Sequence, residues 1–271
     1  MSRTVAPVIS LLTDYGLEDG FVAACHGVIA GIAPDARIID VSHLVPAGDI
    51  RRGAALLAQT VPYLPAGVHV AVVDPGVGTA RRAIVLEAGD RLFVGPDNGV
   101  LSWAAQACGG VSRAYEICND DLFRKPVSTT FHGRDIFAPV AAHLSTGVPP
   151  AETGPEVPVD RLVLLPPPMV LRRGSELEGE VLCVDRFGNV QLSISEADLT
   201  ALGVRPGDAL GVSLGRWRLT VPLRTTFGSV PPGELVAFVD SAGLLAFAVN
   251  SGDAAQRLGL PAGARVRLWR V

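Results

Sequence analysis

The sequence predicts an α/β protein in two parts. An N-terminal α/β domain with a central, mostly parallel sheet precedes a small C-terminal β-barrel-like domain. Three observations predict this. β-rich apolar runs alternate with helix-patterned segments through the first half. A proline-dense stretch, Gly147 to Pro168, then interrupts the chain. Beyond it come short alternating runs punctuated by Gly, Asn and Asp.

Val5 to Leu12 reads as a buried strand that stops at the polar turn Thr13-Asp14-Tyr15-Gly16, ahead of the helix-like Phe21 to Ile32. Arg37 to Val41 and Val68 to Val73 are further β-rich runs, with a helical pattern at Ile50 to Leu64 between them. Asp14 and Asp74 each follow a strand. Open α/β sheets bind ligands beyond the carboxyl ends of their strands, so both acids are expected to face one cleft. Ile136 to Leu144 is the last N-terminal helix. The expected boundaries are therefore residues 1–154 for the first domain, 155–168 for a Pro-rich linker and 169–271 for the second domain. Strands in the second are expected at Glu178–Asp185, Asn189–Ile194, Arg216–Val221, Leu235–Val239 and Leu244–Val249. No internal repeat or low-complexity tract is present.

With 271 residues and 48% apolar content, the chain can bury a large core or two. A net charge of −4 and scattered arginines offer no basic surface for phosphate backbones, so no nucleic-acid partner is expected. No run approaches the ~20 apolar residues that cross a bilayer, so no membrane association is expected either. Cys25, Cys108, Cys118 and Cys183 form no CxxC pair, and no signal-peptide core is present. A reducing, cytoplasmic setting follows as the expectation.

The chemistry concentrates in two motifs. Asp74 and Arg81 flank Pro75-Gly76-Val77-Gly78-Thr79, whose glycines let the backbone fold back and bring both side chains to one point. His132, within Phe131-His132-Gly133-Arg134-Asp135, is the side chain best suited to proton exchange near neutrality. An Asp, an Arg and a His around a small pocket can hold, polarise and deprotonate one water. Spacing alone equally allows a turn cap, a solvated charge and a structural histidine. Asp185-Arg186-Phe187-Gly188-Asn189 joins two strands and reads on spacing as a hairpin turn. Asp19, Asp97 and Asn98 are ligand contacts or ordinary turn residues. Gly76-x-Gly78 lacks the rest of a dinucleotide fingerprint, no phosphate loop occurs, and Lys125 is the only lysine. The five histidines are isolated in sequence from one another and from the cysteines, so spacing predicts no metal site and no cofactor.

With those residues in hand, the chain resembles the S-adenosylmethionine (SAM) hydroxide adenosyltransferase family, the adenosine-forming SAM hydrolases related to fluorinase and chlorinase. The carriers are LLTDYG at Leu11–Gly16, DPGVGTARR at Asp74–Arg82, VGPDNGVL at Val94–Leu101, FHGRDIFAP at Phe131–Pro139 and DRFGN at Asp185–Asn189. Five motifs in the family's order span nearly the whole chain. The resemblance implies SAM hydrolysis to adenosine and methionine, with SAM as substrate rather than cofactor. It also implies a homotrimer with sites between the N-terminal domain of one subunit and the C-terminal domain of its neighbour.

By the same matching, Asp74, Arg81 and His132 are the water-activating set and Asp14 binds the ribose. Asp185, Asn189 and Ser241 are implied to contact methionine, and Asn250 to line the adenine pocket. Ala242 stands where fluorinases carry an arginine, which leaves the methionine carboxylate without its counterpart. The halogenating relatives carry tyrosines at the positions of Asp74 and His132, so the motifs argue against a halogenase. A SAM- or adenosine-binding sensor or carrier with little turnover is the alternative from another class.

Overall fold

The computed structural model describes residues 7–215 and 217–271; Val5 and Ala6 of the first expected strand and Arg216 of a later one lie outside the described residues. The described residues form two compact units, the first ending at Pro166 and the second running Pro167–Val271.

In the first unit, β1 (Val8–Thr13), α1 (Phe21–Ile32), β2 (Arg37–Ser42), α2 (Ile50–Thr60) and β3 (Val68–Val72) follow the expected alternation. The helical pattern from Ile50 stops short of Leu64. Pro62 lacks an amide hydrogen, and the chain tightens into a 3₁₀ turn at Val61–Tyr63. Then come β4 (Ala83–Ala88), β5 (Arg91–Pro96), α3 (Ser102–Ala107) and β6 (Arg113–Glu116), none of which was expected from periodicity. A π-helical turn, Gly133–Phe137, leads directly into α4 (Ala138–Ser145).

The six strands are ordered β2-β1-β3-β5-β4-β6. β2, β1, β3 and β5 pair in parallel, while β4 pairs antiparallel with β5 and β6, so the sheet is mixed but mostly parallel. Strand residues alternate faces. Ile9, Leu11, Val68, Val70 and Val72 pack with α1 and α4 on one side. Leu12, Ala71, Val73, Ile84 and Phe93 pack with α2 and α3 on the other. Both faces are covered by helices, as a parallel sheet requires. Residues beyond 154 also join this unit: Val157 and Leu162 are buried in its second core.

The second unit holds β7 (Val170–Arg173), β8 (Glu176–Val184), β9 (Val190–Ser195), α5 (Glu196–Ala201), β10 (Ala209–Leu214), β11 (Trp217–Pro222), β12 (Leu235–Val239), β13 (Leu244–Val249), α6 (Ala254–Leu258) and β14 (Arg265–Arg270). Its strands run β11-β10-β14-β8-β9-β13-β12, with β7 beside β8, and every named pair is antiparallel. β8 alternates buried and half-buried residues along its whole length. A bridge from Leu223 to Ala237 links the two ends of this order, leaving a nearly closed barrel around Leu177, Val181, Leu192, Val212, Phe247 and Leu268.

Candidate active site

β1 and β3 are parallel neighbours, with Thr13 opposite Val72. Asp14 and the Asp74 turn therefore leave the sheet side by side at its carboxyl edge. The turn is held by Val77 N donating to Asp74 O at 3.2 Å and by the Thr79 hydroxyl donating to Gly76 O at 2.7 Å. Gly78 adopts φ +77°, and a Cβ there would lie 2.4 Å from Thr129 O. Only glycine lets this turn lie against the segment that leads to His132.

The fold-back brings Arg81 onto Asp74. Its Nε donates to both carboxylate oxygens, at 3.1 and 2.9 Å, and Nη2 also donates to Oδ2. The two side chains are 11% and 5% exposed, so bulk water screens the pair little. The guanidinium lies over the Phe137 ring, 5.2 Å from its centroid. Arg81 Nη2 is also 2.8 Å from His132 Nδ1. A guanidinium can only donate, so Nδ1 is the acceptor and the neutral ring carries its proton on Nε2. Burial and the neighbouring Arg81 charge both hold His132 below the ordinary imidazole value.

His132 immediately precedes the π-helical turn. Such turns recur at functional sites because they break the regular rise of a helix. Asp135, fully buried, anchors this one. It accepts from Arg134 Nε at 2.7 Å, Arg134 Nη2 at 2.8 Å and Ser128 N at 2.8 Å, with Arg124 Nη1 at 3.3 Å. Burial raises the Asp135 pKa, but these donors outweigh it and hold the carboxyl below its usual range. Gly133 is needed for contact: a Cβ there would sit 2.0 Å from the Tyr15 hydroxyl.

Tyr15 was not singled out from sequence, although it follows Asp14 directly. Its ring packs edge-on to Phe131 and at a tilt to Phe21, with centroids 5.7 and 6.0 Å away, and Phe21 meets Phe131 at 5.2 Å. Burial raises the phenol pKa, and the charges of Cys25, Asp14 and Asp74 add to it, so Tyr15 stays protonated. Asp14 Oδ2 accepts from Gly48 N at 2.8 Å, which orients one oxygen. The structure thus joins Asp74, Arg81 and His132 by direct hydrogen bonds and sets Tyr15 within the field of Asp14 and Asp74.

In the second unit, Asp185 Oδ1 accepts from Phe187 N and Asn189 N at 2.8 and 2.9 Å, and Oδ2 from Asn189 Nδ2 at 2.7 Å. Phe187 is left 75% exposed. A pocket of about 490 Å³ is lined by Phe187, Asn189, Phe227, Val249, Asn250, Ser251 and Gly252, so Asn189 and Asn250 do come together. Asn250 Nδ2 donates to Val230 O at 2.6 Å. Ser241 does not line this pocket; it is exposed in the turn closed by Asp240, whose Oδ1 accepts from Ala242 N and Leu244 N.

The weaker candidates are turn residues. Asp97 binds Arg82 and Val163 N, Asn98 caps Val73 O and Val100 N, and Asp19 is exposed. The histidines, isolated in sequence, are not all isolated in space: His26 and His43 converge on Asp40, with donor atoms of all three within 4.8 Å. Spacing concealed this because the residues sit on different elements. Among the described residues, no helix is long and apolar enough to cross a membrane.

Comparison with known proteins identifies the family. Residues 9–154 match the SAM hydroxide adenosyltransferase N-terminal domain, and residues 179–267 match the C-terminal domain of the same family. The chain is 58% identical over 262 residues to a (R)-S-adenosyl-L-methionine hydrolase of Salinispora tropica, covering 97% of both chains. It is 45% identical over 270 residues to one of Thermus thermophilus, covering 96% of this chain and 98% of the relative. A crystal structure of an uncharacterized conserved protein from Thermotoga maritima superposes with a TM-score of 0.92 at 40% identity, over 97% of this chain and 100% of the other. Two domain matches in order and full-length similarity to named relatives lead to one conclusion: this chain belongs to the SAM hydroxide adenosyltransferase family.

Proposed function

We propose that this protein hydrolyses SAM to adenosine and L-methionine, by attack of water on the ribose 5′ carbon. The observation that carries this reading is the bridge made by Arg81, which binds the Asp74 carboxylate and the His132 ring at once. In a family of adenosine-forming SAM hydrolases, that bridge supports a role in holding one water. As the oxygen bonds to C5′, the C5′–S bond breaks and its electron pair returns to sulfur, so methionine leaves as a neutral thioether. The leaving group needs no proton, and the water must lose one. With Nδ1 occupied by Arg81 and the proton on Nε2, His132 is a donor that orients water, and Asp74 is the proton acceptor. Arg81 steadies the developing hydroxide character in a partly dry setting, and the Tyr15–Phe21–Phe131 cluster limits solvent.

Asp14 is the ribose ligand in this scheme, with its free oxygen facing the hydroxyls. Asp185, Asn189 and Ser241 contact methionine, and Asn250 with the exposed Phe187 ring serves the adenine side. The relatives' name specifies the (R) sulfonium epimer, which we take as the substrate. Following the family pattern, the site is completed in a homotrimer by the C-terminal unit of a neighbouring copy, in the cytoplasm. No metal or other cofactor takes part in the reaction. Tyrosines stand in the halogenases where this chain has Asp74 and His132, and an anionic Asp74 also repels halide.

The test is incubation of purified protein with each SAM epimer in halide-free buffer. Equimolar adenosine and methionine, formed faster from the (R) epimer, is the expected result. SAM that binds but remains unchanged would instead make the protein a sensor or carrier.

A further inference from the structure

His26 lies mid-way along α1, Asp40 on the edge strand β2, and His43 just beyond that strand. An extended strand would send positions 40 and 43 to opposite faces. Here the register against β1 slips, from Leu11 opposite Asp40 to Leu12 opposite Ser42, leaving Val41 as an extra residue. Such a bulge re-aims side chains, and both Asp40 and His43 turn toward α1. His26 Nε2 stands 2.9 Å and His43 Nε2 3.0 Å from the same oxygen, Asp40 Oδ1.

The three are not equally wet. His43 is 3% exposed at the side chain, whereas Asp40 and His26 are 41% and 33% exposed. His43 Nε2 approaches Asp40 out of line and has no hydrogen-bond partner among the described residues. This buried imidazole nitrogen lies within 4.8 Å of two other donor atoms, unlike the equally unpartnered Nε2 of His69, which has no such neighbours among the described residues. The opposite nitrogen, Nδ1, is 2.9 Å from Thr13 Oγ1. That hydroxyl oxygen already accepts from Tyr15 N at 3.2 Å and has a second lone pair for an Nδ1–H. In the tautomer that carries its proton on Nδ1, Nε2 presents a bare lone pair, and a Thr13 hydroxyl accepting from Nδ1 is the kind of outer hydrogen bond that prepares a metal-binding histidine.

We propose that His26, Asp40 and His43 form a binding site for a divalent transition ion of the zinc type. Two donors on one tetrahedral zinc, each at ~2.0–2.1 Å, stand ~3.3 Å apart. The observed 2.9 and 3.0 Å separations need only small outward shifts, and half-exposed His26 is free to make them. Imidazole and carboxylate donors favour zinc, nickel or copper over magnesium and calcium, which require more oxygen ligands. The exposed side of Asp40 and His26 gives the ion its entry path and leaves a position for water.

The ion has a positioning consequence. His43 O accepts from Gly16 N at 2.7 Å, and its ring is tied to Thr13, so the site grips both ends of the Thr13–Gly16 turn. That turn carries Asp14, and this part of the inference rests on the ribose-binding role proposed for it. Ion binding itself does not. A protein that binds zinc but does not turn over SAM would uphold the site and overturn the proposed function; the reverse result would do the opposite.

The experiment uses the untagged full-length protein, stripped of metal and titrated with Zn²⁺ against a chromophoric chelator. The expected result is saturation at one ion per chain, weakened at least ~10-fold in His26→Ala and in Asp40→Asn, both at half-exposed positions that spare the core. Cys118→Ser, at an exposed thiol, is expected to retain full affinity. Co²⁺ is expected to give visible ligand-field bands without thiolate charge transfer, and Zn²⁺ to raise Tm in the parent but not in His26→Ala. Absence of a saturable site, or equal affinity in His26→Ala and Asp40→Asn, would overturn the proposal.

Discussion

Two turns of this protein are built from similar residues and use their hydrogen bonds in opposite ways. After β3, the Asp74 carboxylate is satisfied by a distant side chain, Arg81, which in turn binds His132. Between β8 and β9, the Asp185 carboxylate is satisfied by its own turn, the amides of Phe187 and Asn189 and the Asn189 side chain. The first arrangement couples three ionisable groups under partial burial, so a change at one is felt by the others. The second is closed on itself, so its carboxylate is held by the turn and hydrogen-bonds to no other ionisable group among the described residues. Coupled charges suit chemistry; a self-satisfied turn suits recognition.

The sharpest way to break that contrast is substitution at the first turn. Asp74→Asn keeps the shape but turns one of the two acceptors for Arg81 into a donor and removes the proposed base, and kcat is expected to fall by roughly 10²- to 10⁴-fold with Kd for SAM changed little. Asp14→Ala is expected to do the reverse, raising Kd more than it lowers kcat. If the two variants behave alike, the division of roles between these acids is wrong.

Gly133→Ala comes next in size. Its new Cβ collides with the Tyr15 hydroxyl, displacing the neighbouring His132, and a misplacement of about 1 Å can cost ~10²-fold in kcat. Adding Tyr15→Phe, which deletes the colliding oxygen, is expected to recover part of the loss. Kinetics of the single and double variants read this directly, and absence of any recovery would assign the loss to something other than that contact.

At the second turn the effect is expected to be smaller and of a different kind. Removing the exposed ring in Phe187→Ala is expected to raise KM ~10-fold while kcat holds, because loss of stacking on a base weakens binding by ~1–3 kcal/mol. A fall in kcat alone would blur the contrast between the turns.

The smallest effect is that of pH. The folded pKa of His132 is depressed, by burial and then by Arg81, so its contact with Arg81 contributes stability above the ordinary imidazole value and loses it as pH falls through the folded value. Protonation of Nδ1 also turns that contact from attraction to repulsion. A profile of kcat/KM is therefore expected to be flat above neutrality and to decline only below the usual imidazole range, with Tm following the same direction.

Much of the first turn was legible in the sequence. The strand ending at Val72, the Gly-rich turn and the spacing of Asp74 and Arg81 are local features, and the helix Phe21–Ile32 appears with the bounds its periodicity implies. The hairpin of β4 and β5 escaped notice although Gly89-Asp90 signals its turn, because Ala83–Ala88 is buried almost throughout and shows no alternation. The contact of Tyr15 with Gly133 and the convergence of His26 on Asp40 and His43 depend on packing between elements remote in sequence. No spacing rule reports such contacts.

In the proposed reaction Asp74 takes a proton from the water that becomes the 5′ hydroxyl of adenosine. The most direct test of this step is SAM turnover in heavy-oxygen water by the parent and by Asp74→Asn, side by side. One heavy oxygen in adenosine and none in methionine is expected for the parent, with formation of the labelled product slowed by at least ~10²-fold in the variant. Unlabelled adenosine, or labelled adenosine formed equally fast by both proteins, would contradict it.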